Sequence, residues 1–227
     1  MRQWIKNKES GGNYASLQST PLFEKGKKVA DNVDSGYRGA YQMGASYAKE
    51  AGLIKSDSGP TGFETFGKTQ LERAAGHKAF MENNSNWKDP PGSLQNFLTG
   101  DKAKEIQDQA FDRVTQKNYQ ALVANKVIKP EMPPDEVAGH LMGAHAAGVK
   151  GYTDFVNVDP NRTDGAGTRV STYYNGAAAA VSGKAPPPPG NKTEQKGKPA
   201  DDKTAKNPGA TTGSNRSLEA TRIGNEV

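Results

Sequence analysis

The chain of 227 residues has no cysteine. That absence excludes a disulfide framework and any thiolate metal site, so an apolar core must hold the fold. No apolar run approaches the roughly 18 to 20 residues of a membrane span, and the N-terminus shows no basic-then-apolar leader with a small-residue cleavage site. Hydrophobic residues make up only 33%, enough for one domain of ordinary size plus a tail, and the length does not demand two cores. Lys and Arg number 30 against 25 Asp and Glu, net +5. So mild an excess favours anionic polymers without selecting one. Aromatic and basic residues are not interleaved on a recognisable nucleic-acid-binding module. There is neither a metal-ligand cluster nor a phosphate-binding glycine loop ahead of a helix, so no metal and no cofactor is expected.

What is present is organised around Glu9. Met1, Trp4 and Ile5 share one helical stripe by the i, i+3, i+4 rule, and one further turn puts Glu9 on the same inward side. Ser10-Gly11-Gly12 then stops the helix, because paired glycines favour a left-handed cap. A carboxylate closing an apolar face beside an opening loop is partly desolvated, which favours its acid form and suits a general acid at neutral pH. The plainer alternative is a surface charge at an ordinary helix end.

Residues 15 to 36 lack sustained periodicity and read as a long loop, with room for a short strand pair. Ser35 to Gly44 mixes glycines with aromatic and polar side chains, among them Tyr41, Gln42 and Met43. Glycines there allow backbone to approach a ligand and aromatics offer flat faces for sugar rings, unless Tyr41 and Met43 are simply core. A helix over Ala45 to Ala51 should end at Gly52. Residues 56 to 100 read as connectors and short helices, with Phe63, Phe66, Phe80, Trp87, Phe97 and Leu98 as core.

From Asp101 to about Lys126 a scaffold helix is expected, its apolar face being Ile106, Ala110, Phe111, Val114, Leu122 and Val123. Pro133-Pro134-Asp135-Glu136 starts another, crowded with small residues so that neighbours can approach, and Gly148 should end it. On that helix His140 and His145 stand about 140° apart, too far to share a metal ion; a buried, hydrogen-bonded histidine is the simpler reading of either. A final helix from the Thr168 to Ser171 region includes Tyr173 and Tyr174, with Asn175-Gly176 as an interruption before Ala177 to Val181. At Lys184 the composition changes: Pro186 to Pro189 should be extended polyproline, and the remainder, with eight basic residues against five acidic, is too polar to fold.

Three separated pieces, in order, resemble the lysozyme-like superfamily, most closely the lytic transglycosylases that cut bacterial peptidoglycan. Glu9-Ser10-Gly11-Gly12-Asn13-Tyr14 resembles the catalytic Glu-Ser-x-x-Asn motif. Gly39-Ala40-Tyr41-Gln42-Met43 resembles Gly-Leu-Met-Gln-Ile, and Ala144-His145-Ala146-Ala147-Gly148 resembles Ala-Tyr-Asn-Ala-Gly. Thr168-Arg169 with Tyr173 is similar to the Glu-Thr-Arg-x-Tyr signature. The resemblance implies a mainly α, helix-rich α+β, lysozyme-like domain over residues 1–183, with 184–227 a disordered, Pro-rich basic tail. It also implies Glu9 as catalytic acid and base, with Ser10, Tyr41, Gln42, Met43, His145 and Tyr173 about the glycan strand. The sequence departs from the family where His145-Ala146 replaces Tyr-Asn and where the segment between Glu9 and Gly39 is longer than usual.

Hydrolytic glycosidases need a second carboxylate, whereas a lytic transglycosylase uses the C6 hydroxyl of N-acetylmuramic acid and forms a 1,6-anhydro product. Asp34 or Asp31, spaced from Glu9 like the second acid of goose-type lysozymes, keeps a hydrolytic muramidase open. The His145-Ala146 departure keeps open a non-catalytic glycan-binding protein on the same scaffold. A nucleic-acid-binding protein rests on the mild basicity alone. The expected partner is the peptidoglycan glycan strand, met in the periplasm or cell wall by a monomer or a module of a larger phage or secretion assembly. Without a leader, delivery would be phage-borne, by lysis, or by dedicated export.

Overall fold

The first helix, α1 (Arg2–Ser10), buries Ile5 completely and packs Met1 and Trp4 against the core. Its stop is the expected glycine cap: Gly11 is left-handed at φ 63°, and the N–H groups of Gly11 and Gly12 return to the carbonyls of Asn7 and Lys6. Nine residues are too few for an isolated helix, so α1 exists by its packing. The computed structural model describes residues 1–24, 27–164 and 167–184; the Pro-rich tail expected from residue 184 lies, from residue 185 on, outside the described residues.

The strand pair for which residues 15 to 36 left room is formed, and it takes up nearly the whole segment read as a long loop. Strand β1 (Leu17–Glu24) pairs antiparallel with β2 (Lys27–Arg38), from Leu17 opposite Arg38 to Glu24 opposite Lys27. The pairing register shifts three times along this ladder, and Pro21 sits within β1, which is why no clean alternation marks it. Then come α2 (Ala45–Glu50), closed by Gly52 at φ 79°, and α3 (Gln70–Glu82). The latter corrects the connector reading of 56 to 100. Thr69 and Glu72 form a reciprocal capping box at its start, a signal present in the sequence as Thr-x-x-Glu. β2 packs on α3, and this contact supports a two-stranded sheet that could not stand alone.

α4 (Leu94–Thr99) leads into α5 (Ala103–Ala124). The apolar face of α5 is as expected except at Val123, which is 40% exposed; adjacent helical positions lie about 100° apart, and Leu122 already takes the inward one. Wholly buried Gln107 and buried Asn118 join that face instead. α6 (Pro134–Asn157) does break at Gly148, at φ 68° and ψ 160°, but resumes at once and runs on. α7 (Val170–Ser182) passes through Asn175-Gly176 without interruption.

Small residues set the spacing of these last helices. A methyl at Gly139 would press on the Tyr174 ring at 2.7 Å, one at Gly143 would overlap Tyr152, and one at Gly176 would overlap the Trp4 indole. His140 is the buried, hydrogen-bonded histidine anticipated, its Nδ1 2.9 Å from the Tyr152 hydroxyl. Among the described residues the architecture is thus helix-rich with one two-stranded sheet, and no helix is long and apolar enough to cross a membrane.

Candidate functional site

The end of α1, the inner edge of β1, the turn 39–43, α6 and α7 surround an open cleft of about 530 Å³, within the usual range for a ligand site. Glu9 enters it from the last turn of α1, half-buried. Burial raises its pKa and the charge of Asp164 adds to that, while the Tyr173 hydroxyl and the ammonium of Lys8 pull the other way. Lys8 Nζ lies 5.0 Å over the Tyr173 ring. The pairing of α1 with α7 that sets Trp4 on Gly176 therefore also sets Glu9 beside Tyr173.

Asp164 is the acid that sequence reasoning missed. It lines the cleft from the turn before α7, where Thr163 and Arg169 form an isolated bridge and the Asp164 N–H donates to the Thr168 carbonyl at 2.8 Å. Its Oδ1 accepts the Thr168 N–H at 2.8 Å and its Oδ2 accepts the Tyr173 hydroxyl at 2.9 Å. Asp-Gly at 164 and 165 is a turn signal, the one local mark that could have drawn notice.

The turn 39–43 is held from below by Gln107 of α5. Its amide donates to the carbonyls of Tyr14 (3.0 Å) and Phe97 (2.7 Å) and accepts the Ala40 N–H (2.8 Å). Gly39, at φ 78°, lies so close to this amide that a Cβ would overlap it. Ser10, expected at the glycan strand, instead ties α1 to the turn, its hydroxyl 3.0 Å from the Ala40 carbonyl and 3.1 Å from that of Lys6. Met43 is in the core, 1% exposed, rather than on the cleft. Tyr41 does line the cleft, but its ring stacks on Phe111 at 4.4 Å and its hydroxyl is given to Asp108, which also accepts from Tyr14 at 2.8 Å. Gln42 takes the left-handed φ of 47°, a strained backbone of the kind that collects at binding sites.

A second hollow of about 460 Å³ shares Tyr37, Gln42, Phe63, His145 and Ala146 with the first, so the two adjoin at these residues. Burial lowers the His145 pKa to about 4, with a hydrogen bond to the Tyr41 backbone as the opposing effect, so the ring is neutral at pH 7. Its Nδ1, the Gln42 Oε1 and the Tyr47 hydroxyl are buried without a hydrogen-bond partner among the described residues, and all three side chains line the second hollow. Such groups are rare in folded proteins and commonly await water or ligand.

Asp34 and Asp31 are not among the residues that line the cleft with Glu9. Asp34 is bound by the buried guanidinium of Arg38 at 2.6 and 3.1 Å and by the Gly36 N–H at 3.0 Å, which together outweigh burial and lower its pKa. Asp31 is exposed and pairs with Lys28 at 3.0 Å. Among the described residues no three His, Asp or Glu side chains are grouped to hold a metal ion. Comparison with protein-family models, with curated proteins and with solved structures finds no match.

Proposed function

We propose that the protein is a lytic transglycosylase on a lysozyme-like scaffold, cleaving the β-1,4 bond between N-acetylmuramic acid and N-acetylglucosamine in peptidoglycan. The observation that carries this reading is Glu9: a half-buried carboxyl with a raised pKa on the wall of an open cleft of about 530 Å³ that aromatic side chains also line. Glu9 in its acid form protonates the glycosidic oxygen as the bond from C1 breaks. Its carboxylate then takes the proton of the C6 hydroxyl as that oxygen bonds to C1, closing the 1,6-anhydro ring. One carboxyl serves both steps because the nucleophile is already part of the substrate, which also removes the entropy cost of recruiting it. The substrate sets the place of action in the periplasm or cell wall.

A second reading, hydrolysis, is favoured by one observation: Asp164 lines the same cleft as Glu9. An inverting glycosidase uses a second carboxylate on its cleft to direct a water, and Asp164 rather than the Arg38-held Asp34 is the acid found on this one. Mass spectrometry of soluble products from purified peptidoglycan, with Glu9→Gln alongside, decides. Muropeptides one water lighter than the hydrolysed form, absent with the variant, are the expected result. Hydrated reducing ends would instead establish a muramidase. Binding to sacculi without products, from folded protein, would leave only a glycan-binding scaffold.

A further inference from the structure

The Tyr173 hydroxyl stands between two carboxyl groups. It donates to Asp164 Oδ2 at 2.9 Å and lies beside the carboxyl of Glu9 on the cleft wall. A phenol has one proton to donate and lone pairs to accept with. While that proton is given to Asp164, Tyr173 can hold Glu9 only by accepting, and only the protonated Glu9 has anything to give.

We infer that Asp164 is a positioning residue which, by taking the proton of Tyr173, withholds that donor from the Glu9 carboxylate and so favours the acid form of Glu9. This rests on Glu9 being the acid of the proposed reaction, though the arrangement itself does not need that reaction to be observed. Once Glu9 passes its proton to the leaving oxygen, the Tyr173 O–H turns from Asp164 to the new carboxylate, and it turns back when Glu9 recovers a proton. No proton leaves Tyr173: its own pKa is raised by burial and by both carboxylates, so the phenol stays intact throughout. Asp164 is fitted to this part because its other oxygen is fixed by the Thr168 N–H, which leaves Oδ2 directed at Tyr173.

The remaining charged and titratable groups about Glu9 come from each surrounding element. They are Lys8 on its own helix, Tyr37 and Tyr41 across the cleft, and His145 of α6, neutral above about pH 4. Lys8 favours the carboxylate of Glu9 and the tyrosines are uncharged at neutral pH. Among the described residues lining the cleft, Asp164 is thus the negative group joined to the Tyr173 hydroxyl beside Glu9.

The test is a carbon-13 NMR titration of the Glu9 carboxyl in the full chain, its signal assigned by its loss in Glu9→Gln. Asp164→Asn keeps an oxygen for the Thr168 N–H but frees the Tyr173 proton, and it should lower the Glu9 titration midpoint. Tyr173→Phe removes the donor to the carboxylate while leaving the Asp164 charge, and it should raise the midpoint. Opposite shifts from two neighbouring variants are not what a merely structural role would give. In the Tyr173→Phe background Asp164→Asn should have a clearly smaller effect than alone; an equal effect would reduce Asp164 to a distant charge and overturn the inference. An unchanged or raised midpoint in Asp164→Asn would also overturn it. If that variant does not fold, Tyr173→Phe decides by itself, an unmoved midpoint counting against the link. These shifts seen in a protein that releases nothing from peptidoglycan would uphold the link and refute only the proposed activity. In an active protein, Asp164→Asn should also move the alkaline limb of the pH–activity profile to lower pH.

Discussion

Replacing Gly176 by alanine should destabilise the protein, although it puts a better helix former into the middle of α7. The helical gain is about 1 kcal/mol. Against it, the added methyl would overlap the Trp4 indole, with a second ring atom at 2.7 Å and a third at 3.0 Å. The indole is rigid and α1 is docked by Ile5 and Ser10 as well as by Trp4, so the clash is not relieved by turning one side-chain end. Overpacking costs about 1 to 3 kcal/mol; a rigid ring this close puts Gly176→Ala in the upper half, about 2 to 3 kcal/mol, and the net expectation is a loss of about 1 to 2 kcal/mol, or roughly 2 to 8 °C in Tm for a domain of this size. Because α1 carries Glu9, the same displacement should loosen Glu9 from Tyr173 and reduce activity more than stability. The assay is thermal unfolding followed by circular dichroism, for the single variants and for the pair with Trp4→Phe, whose smaller ring lacks the atoms that clash. In the double variant part of the loss should return, a coupling of about 1 kcal/mol. A Gly176→Ala protein as stable as the parent, with the double variant simply additive, would refute the reasoning.

Acid should weaken the fold before any carboxylate of ordinary pKa titrates. Burial lowers the pKa of His77, His140 and His145, the last to about 4, so the unfolded chain takes protons first. Stability is complete above the unfolded value near 6.5 and is lost as pH falls towards 4, by about 3 kcal/mol for His145 alone. Glu9, with its raised pKa, works in the opposite sense. Urea midpoints measured from pH 7 to pH 4 should fall and should fall less in His145→Gln; a flat profile would count against buried neutral histidines. Asp34→Asn should leave most lytic activity but cost about 3 kcal/mol, because Arg38, 1% exposed, loses its close carboxylate and is left with the Tyr37 carbonyl at 3.1 Å and Glu82 at 3.6 Å. A stable, inactive Asp34→Asn would return Asp34 to the chemistry.

Much of the fold could be read in advance where the determinant is local. The glycine caps of α1 and α2, the Pro-Asp-Glu start of α6 and the apolar face of α5 are decided within a few residues of where they act. The helix α3 was equally local, and its Thr69–Glu72 box was on view. The small residues of α6 announced close approach, and Gly139 and Gly143 deliver it, though which rings would fill the space depended on Tyr152 and Tyr174, which no spacing rule connects to them.

The hairpin and the site are different in kind. β1 and β2 are mostly polar, and their existence depends on α3 lying beneath β2 rather than on alternation along the strands. Gln107 reads as the solvent face of α5 because a buried amide is betrayed only by its partners, the backbones of Tyr14, Phe97 and Ala40. The two aspartates make the same point about acids. Asp34 sits at a suggestive distance from Glu9 along the chain, yet a guanidinium four residues on claims it; Asp164 is 155 positions from Glu9 and reaches its cleft because α1 docks on α7 through Trp4 and Gly176. Sequence spacing ranks candidates by how far apart they are on the chain, while the field at Glu9 is set by what the helix pair brings within a few ångströms. A second carboxyl in such a cleft is therefore better sought on whichever helix packs against the one that carries the first.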